Sequence, residues 1–127
     1  MDELTHLEQS VLRMLLAGQH PVLSALREQL QTLRVRGRKV SGVAFATRLE
    51  VGPRARPAPL LSRSLVLDDV HADIPGLAHG AGFALFVEDG LLRRLEGATY
   101  RGEEWPRDLG DFTLHYDEPE RDLSDLE

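Results

Sequence analysis

The chain has no cysteine, so disulfides and thiol chemistry are excluded. Thiolate zinc sites go with them, leaving histidine and carboxylate as the metal ligands to consider. No apolar run is long enough to span a bilayer, so no membrane partner is expected. No basic stretch followed by an apolar one opens the chain, so no signal peptide is expected and a cytoplasmic location is the default. The G-x-S-x-G elbow and the H-E-x-x-H motif are both missing. The serines show no local activation pattern, so nucleophilic catalysis has little to draw on. Lysine occurs once, as Lys39, and tryptophan once, as Trp105.

What is present suffices for one ordinary core. A chain of 127 residues, 42% of them hydrophobic, is expected to fold as a single domain. The net charge of −6 is unevenly placed. Between Asp117 and Glu127 six acidic residues stand against Arg121, a sum of −5. Between Arg34 and Arg63 eight basic residues stand against Glu50, a sum of +7. Such segments attract each other or attract different partners. Nucleic-acid binding through Arg34–Arg63 would favour interleaved aromatic residues, and only Phe45 is there, so it ranks third among the functional readings.

Along the chain, residues 2–17 read as a helix with Leu4, Leu7, Val11 and Leu15 on one stripe. Thr5 and Glu8 have capping-box spacing, with Asp2 as an alternative cap one turn earlier. Gly18 supplies a stop, and Pro21 suits the first turn of a second helix with Leu23, Leu26, Leu30 and Leu33 as its stripe. The short connection predicts an antiparallel helical hairpin. From Lys39 the period becomes alternating, with Val43, Phe45, Thr47 and Leu49 on one face and Gly42, Ala44 and Ala46 on the other. Those small residues imply that something packs closely on their face. The stretch 52–60, rich in proline and arginine, reads as a loop. Strands are expected over 65–74, 82–88, 91–100 and 111–116, with Glu88-Asp89-Gly90 as the strongest hairpin signal and Gly97 as a bulge or close-contact point.

The expected architecture is α+β: an N-terminal antiparallel helical hairpin packed on one face of a mostly antiparallel sheet of about five strands. Residues 1–116 make the single domain and 117–127 an acidic disordered tail.

Two groups of residues are singled out for chemistry. Alternation places Asp69, His71 and Asp73 on one strand face, with His79 after the Pro75-Gly76 turn and Glu96 on the neighbouring hairpin. Two imidazoles with carboxylates are the minimum for a metal site without thiolates, and His71 and His79 are the only metal ligands proposed. The spacing fits no ligand motif, and a solvated polar strand face is the reading preferred, with no cofactor expected. The run His79-Gly80-Ala81-Gly82 reads as a turn, since a phosphate loop needs a following helix. Tyr100, Glu104 and Trp105 form a candidate binding surface, because aromatic residues are over-represented at interfaces.

The run from His71 to Phe83, with Phe86-Val87, Leu95-Glu96-Gly97, Thr99-Tyr100, Trp105-Pro106 and the helical pair around His20-Pro21-Val22-Leu23, resembles a family of small bacterial cytoplasmic proteins with no assigned activity. The resemblance implies a single compact domain and carries no functional residue over. The leading expectation is a non-enzymatic protein-interaction module, adaptor-like or immunity-like, with a protein partner or self-association. The alternative is a metal-dependent or acid–base enzyme, or a small-ligand binder, using Asp69, His71, Asp73, His79 and Glu96.

Overall fold

The computed structural model describes residues 3–106 and 109–126. Helix α1 (His6–Leu15) starts at a complete capping box: the Glu8 amide donates to Thr5 Oγ1, and the Thr5 amide donates to Glu8 Oε1 at 2.8 Å. Asp2, the alternative cap, lies outside the described residues. Pro21 opens α2 (Pro21–Gln29), where the Val22 amide donates to His20 Nδ1 at 3.1 Å.

One antiparallel sheet holds seven strands among the described residues, not about five: β1 (Arg34–Val40), β2 (Ala44–Glu50), β3 (Ser64–Leu67), β4 (Val70–Asp73), β5 (Ala81–Glu88), β6 (Leu91–Thr99) and β7 (Thr113–Tyr116). The order is β1-β2-β6-β5-β4-β7, and β3 also pairs with β5. The two additional strands have separate causes. β1 reads Arg-Val-Arg-Gly-Arg-Lys-Val, a charged edge strand without the apolar alternation that betrays a half-buried one. The expected strand over 65–74 is broken at Asp68-Asp69, so that β3 pairs with Leu85–Glu88 and β4 with Ala81–Gly82. The hairpin after Glu88 turns on Asp89 and Gly90, both at positive φ (52° and 77°), as a two-residue primed turn requires. The register shift in this hairpin falls at Phe86/Val87, and Gly97 is the close contact: a Cβ there would lie 2.7 Å from Phe45 Cζ.

The expected helical hairpin is not formed. The two short helices pack on strands, α1 on β4 and β5 and α2 on β6. Their apolar stripes, Leu7, Val11, Leu12 and Leu15 on α1 and Val22, Leu23 and Leu26 on α2, are buried in one core with Leu49, Leu67, Phe83, Leu85, Val87 and Leu95. A wide sheet offers each stripe more apolar area than a neighbouring nine-residue helix does, and burial follows area. Gln29 ties α2 to the hairpin: its side-chain amide donates to the carbonyls of Gly90 and Arg56 at 2.8 and 2.9 Å and accepts the Leu92 amide at 3.0 Å.

After β7 the acidic segment lies against the body. Arg121 donates to Asp69 at 2.7 and 3.0 Å and to the carbonyls of Ala17 and Leu15 at 2.7 and 2.9 Å, which satisfies the free end of α1. Leu126 is buried. Among the described residues no helix is long and apolar enough to cross a membrane.

Candidate functional site

The helices occupy one face of the sheet. On the opposite face the strand registers align three rows of side chains. The first runs Ala44, Ala98, Gly82, His71 and His115 across β2, β6, β5, β4 and β7. The second runs Lys39, Ala46, Glu96 and Ala84, and the third Arg48, Arg94 and Phe86. The Ala/Gly centre of the first two rows forms a shallow depression of about 480 Å³, bordered by Lys39 and floored around Glu96. Arg94 lies over the Phe86 ring at 4.1 Å, and its Nε pairs with Glu96 Oε2 at 2.8 Å in an ion pair that does not have hydrogen-bond geometry.

At the β4–β7 end, His71 is held between two groups: Nδ1 meets the Tyr100 hydroxyl and Nε2 meets Asp117 Oδ1. The Tyr100 ring lies over Gly82, where any Cβ would run into its hydroxyl. His115 stacks 5.8 Å from His71, and its Nδ1 lies 3.7 Å from Asp73. Burial, and then the charges of Asp117 and Asp68, raise the Tyr100 phenol above its usual 10.0, so it is a neutral hydrogen-bonding group at ordinary pH.

The five residues expected to share a cluster are spread over separate partners. Asp69 sits at the break between β3 and β4, where alternation fails, and turns to Arg121 at the end of α1. His71 and Asp73 stay on the open face. His79 is exposed, and its amide donates to Glu103 at 2.8 Å, as the Ala78 amide does at 2.9 Å; these two bonds hold the Glu103 carboxyl below its usual range. Glu96 belongs to the central depression with Arg94. Among the described residues no group of three or more histidine and carboxylate side chains is placed to hold a metal. Tyr100 and Trp105 do not form one surface either. Tyr100 lies on the open face, whereas Trp105 packs against Phe45 at 5.8 Å on the helical side, its amide donating to the Gly42 carbonyl at 2.8 Å. Glu104 is exposed between them.

The basic segment is partly neutralised within the chain, through Arg36–Glu50 at 3.4 Å, Arg38–Glu8 at 2.6 Å and Arg63–Asp89 at 3.3 Å. Two residues that complete the histidine end, His115 and Asp117, have no signal in the sequence spacing. They reach His71 only because β7 pairs with β4 in the register His71 to His115.

No family model, curated protein or solved structure matches this chain.

Proposed function

We propose that this protein is a non-enzymatic interaction module that pairs with a second copy of itself through the open face of its sheet. The observation that carries this reading is the uncovered face, with a small-residue centre and opposite charge at its two ends. The β1–β2 end carries Arg36, Lys39 and Arg48, and the β4–β7 end carries Asp68, Asp73 and Asp117. A two-fold axis along the strands lays the basic end of one copy over the acidic end of the other, so the same patch satisfies itself twice. Five strand spacings of about 4.8 Å and seven residues at about 3.3 Å give roughly 550 Å² in projection. Side-chain relief raises that toward the ~800 Å² each partner hides in a standard interface. A cytoplasmic setting belongs to the same proposal.

The test is sedimentation equilibrium at low and high salt, on the parent chain and on Ala84→Arg. Ala84→Arg places a charge at the centre of the depression. The reading expects a dimer that weakens with salt and is lost in Ala84→Arg, with unchanged circular dichroism. A monomer at high protein concentration and low salt overturns it.

A second reading, acid–base chemistry on the same face, is favoured by His71 lying between a phenol and a carboxylate. It requires an activity that His71→Ala abolishes while the association state is unchanged. Equal activity in His71→Ala removes it.

A further inference from the structure

β1 ends the sheet: β2 pairs with one of its edges, and among the described residues no strand pairs with the other. The Ser41 amide donates to the Ala44 carbonyl at 2.8 Å, which makes these two a hydrogen-bonded pair. Alternation then makes Lys39–Ala46 and Gly37–Arg48 the next such pairs. The residues between them, Arg38 and Val40, turn their amides and carbonyls away from β2, toward the open edge. Val40 is 70% exposed, a β-branched side chain standing beside that edge. The edge is also basic. Arg34 and Lys39 share the face of Ala46 and Arg48 and have no ion-pair partner among the described residues. Arg36, at the register shift, has only the half-exposed Glu50 at 3.4 Å.

We propose that β1 takes up an extended acidic segment of another protein by strand addition. Main-chain hydrogen bonds to Arg38 and Val40 hold the segment, and the side chains beside them select it. Charge fixes the sign of the partner. A bulge and a row of like charges are the devices that keep an edge from pairing with its own kind, so a second β1 is repelled here. The same charges attract a strand of opposite sign. Alternation fixes the pattern. The added residue beside Lys39 points to the open face and is acidic, and so is the one two positions on, toward Arg36 and Arg48. The added residue beside Val40 points to the helical side and is apolar, covering the exposed valine. The added strand lies in the plane of the sheet, so it does not occupy the open face.

The experiment is calorimetric titration of the full chain at low salt with a capped peptide of alternating glutamate and valine. The lysine–valine repeat and a thymidine oligonucleotide are the comparison probes. The acidic repeat is expected to bind saturably, to weaken with added salt, and to exceed the lysine repeat by at least about tenfold. Val40→Pro removes one outward amide and puts a ring where the added strand lies, while proline at an edge spares the inner ladder. It should weaken the acidic repeat at least about tenfold, with circular dichroism unchanged. Lys39→Glu leaves the backbone as it is and should narrow the gap between the two repeats. The proposal is overturned if the acidic repeat does not bind at low salt, or if folded Val40→Pro binds it as tightly as the parent. If Val40→Pro does not fold, Lys39→Glu decides, and unchanged affinities for both repeats overturn the proposal. Tighter binding of the oligonucleotide than of the acidic repeat assigns the charges to nucleic acid instead. A dimer lost in Val40→Pro but kept in Ala84→Arg puts a second copy on this edge. Either result also overturns the proposal.

Discussion

Removing the Glu8 carboxylate tests how the helical layer is fastened to the sheet. Glu8 is 2% exposed, yet it carries a formal charge site into the core. Its oxygens accept from the Thr5 amide at 2.8 Å, from Arg38 Nη2 and Nε at 2.6 and 3.4 Å, and from the fully buried Thr47 hydroxyl. Glu8→Ala therefore removes half a capping box, about 1 kcal/mol. It also leaves a buried hydroxyl short of its acceptor, about 1–3 kcal/mol. Arg38 is 20% exposed and can turn partly to water, which holds the total to about 3–4 kcal/mol, near the low end for breaking a buried pair. At roughly 3–5 °C per kcal/mol for a domain of this size, the melting temperature should fall by about 10–15 °C. Urea unfolding followed by far-ultraviolet circular dichroism measures the loss. Glu8→Leu combined with Arg38→Leu should recover most of it, because neither charge is then left alone. The reasoning is refuted if Glu8→Ala lies within about 1 kcal/mol of the parent, or if the double variant is as unstable as the two single losses added.

Two further outcomes follow from other parts of the chain. Arg121→Ala should cost about 2–3 kcal/mol, since it deletes charge-assisted bonds to Asp69 and to two helix-end carbonyls at a side chain only 11% exposed. The segment after Tyr116 should then be cut faster by protease; unchanged cleavage would show that Leu123 and Leu126 hold it without the arginine. Tyr100 has a folded pKa above its unfolded value of 10.0, so its contribution to stability is present below pH 10.0 and is lost as pH rises through the folded value. In an absorbance titration at about 295 nm, the phenol component that Tyr100→Phe removes should therefore titrate above 10.0. A missing component at or below that value would mean the phenol is not held in the burial and charge field described for it.

The local signals in the sequence were legible where one residue decides the geometry. Thr5 with Glu8, Pro21 at the start of α2, and Asp89-Gly90 in the hairpin each act within a few residues, and each is found where the pattern puts it. What the sequence withholds depends on partners far along the chain. β1 is an edge strand in which Arg34, Arg36 and Lys39 face water and Arg38 turns to Glu8, so it lacks the apolar periodicity of a buried strand. Asp68-Asp69 interrupts an apolar run that otherwise reads as one strand. The helical hairpin was expected from a short connection alone, but the connection fixes only proximity; the stripes choose the larger apolar surface. At the candidate site, His71 was legible as an outward-facing histidine. Its neighbours His115 and Asp117 were not, because they arrive through the pairing of β4 with β7, some forty residues apart.

The open face has a composition that folding alone does not explain. A half-exposed strand surface favours β-branched and aromatic residues, which cover the backbone and pack on their cross-strand neighbours. Here Ala44, Ala46, Ala84 and Ala98 occupy adjacent positions on three neighbouring strands, where each contributes little strand propensity and little cross-strand contact. Gly82 has an internal reason, since Tyr100 lies where its side chain would be. No helix among the described residues packs on the four alanines, and they line the depression on the open face. On the proposed reading, small residues in such a place give up stability within the chain and gain close approach for the second copy. That trade favours a docked surface over a bare one, and it makes substitution of the alanines by valine the informative complement to Ala84→Arg. Valine should raise the stability of the isolated chain while weakening association, a pair of opposite effects that a face evolved only for contact with water would not produce.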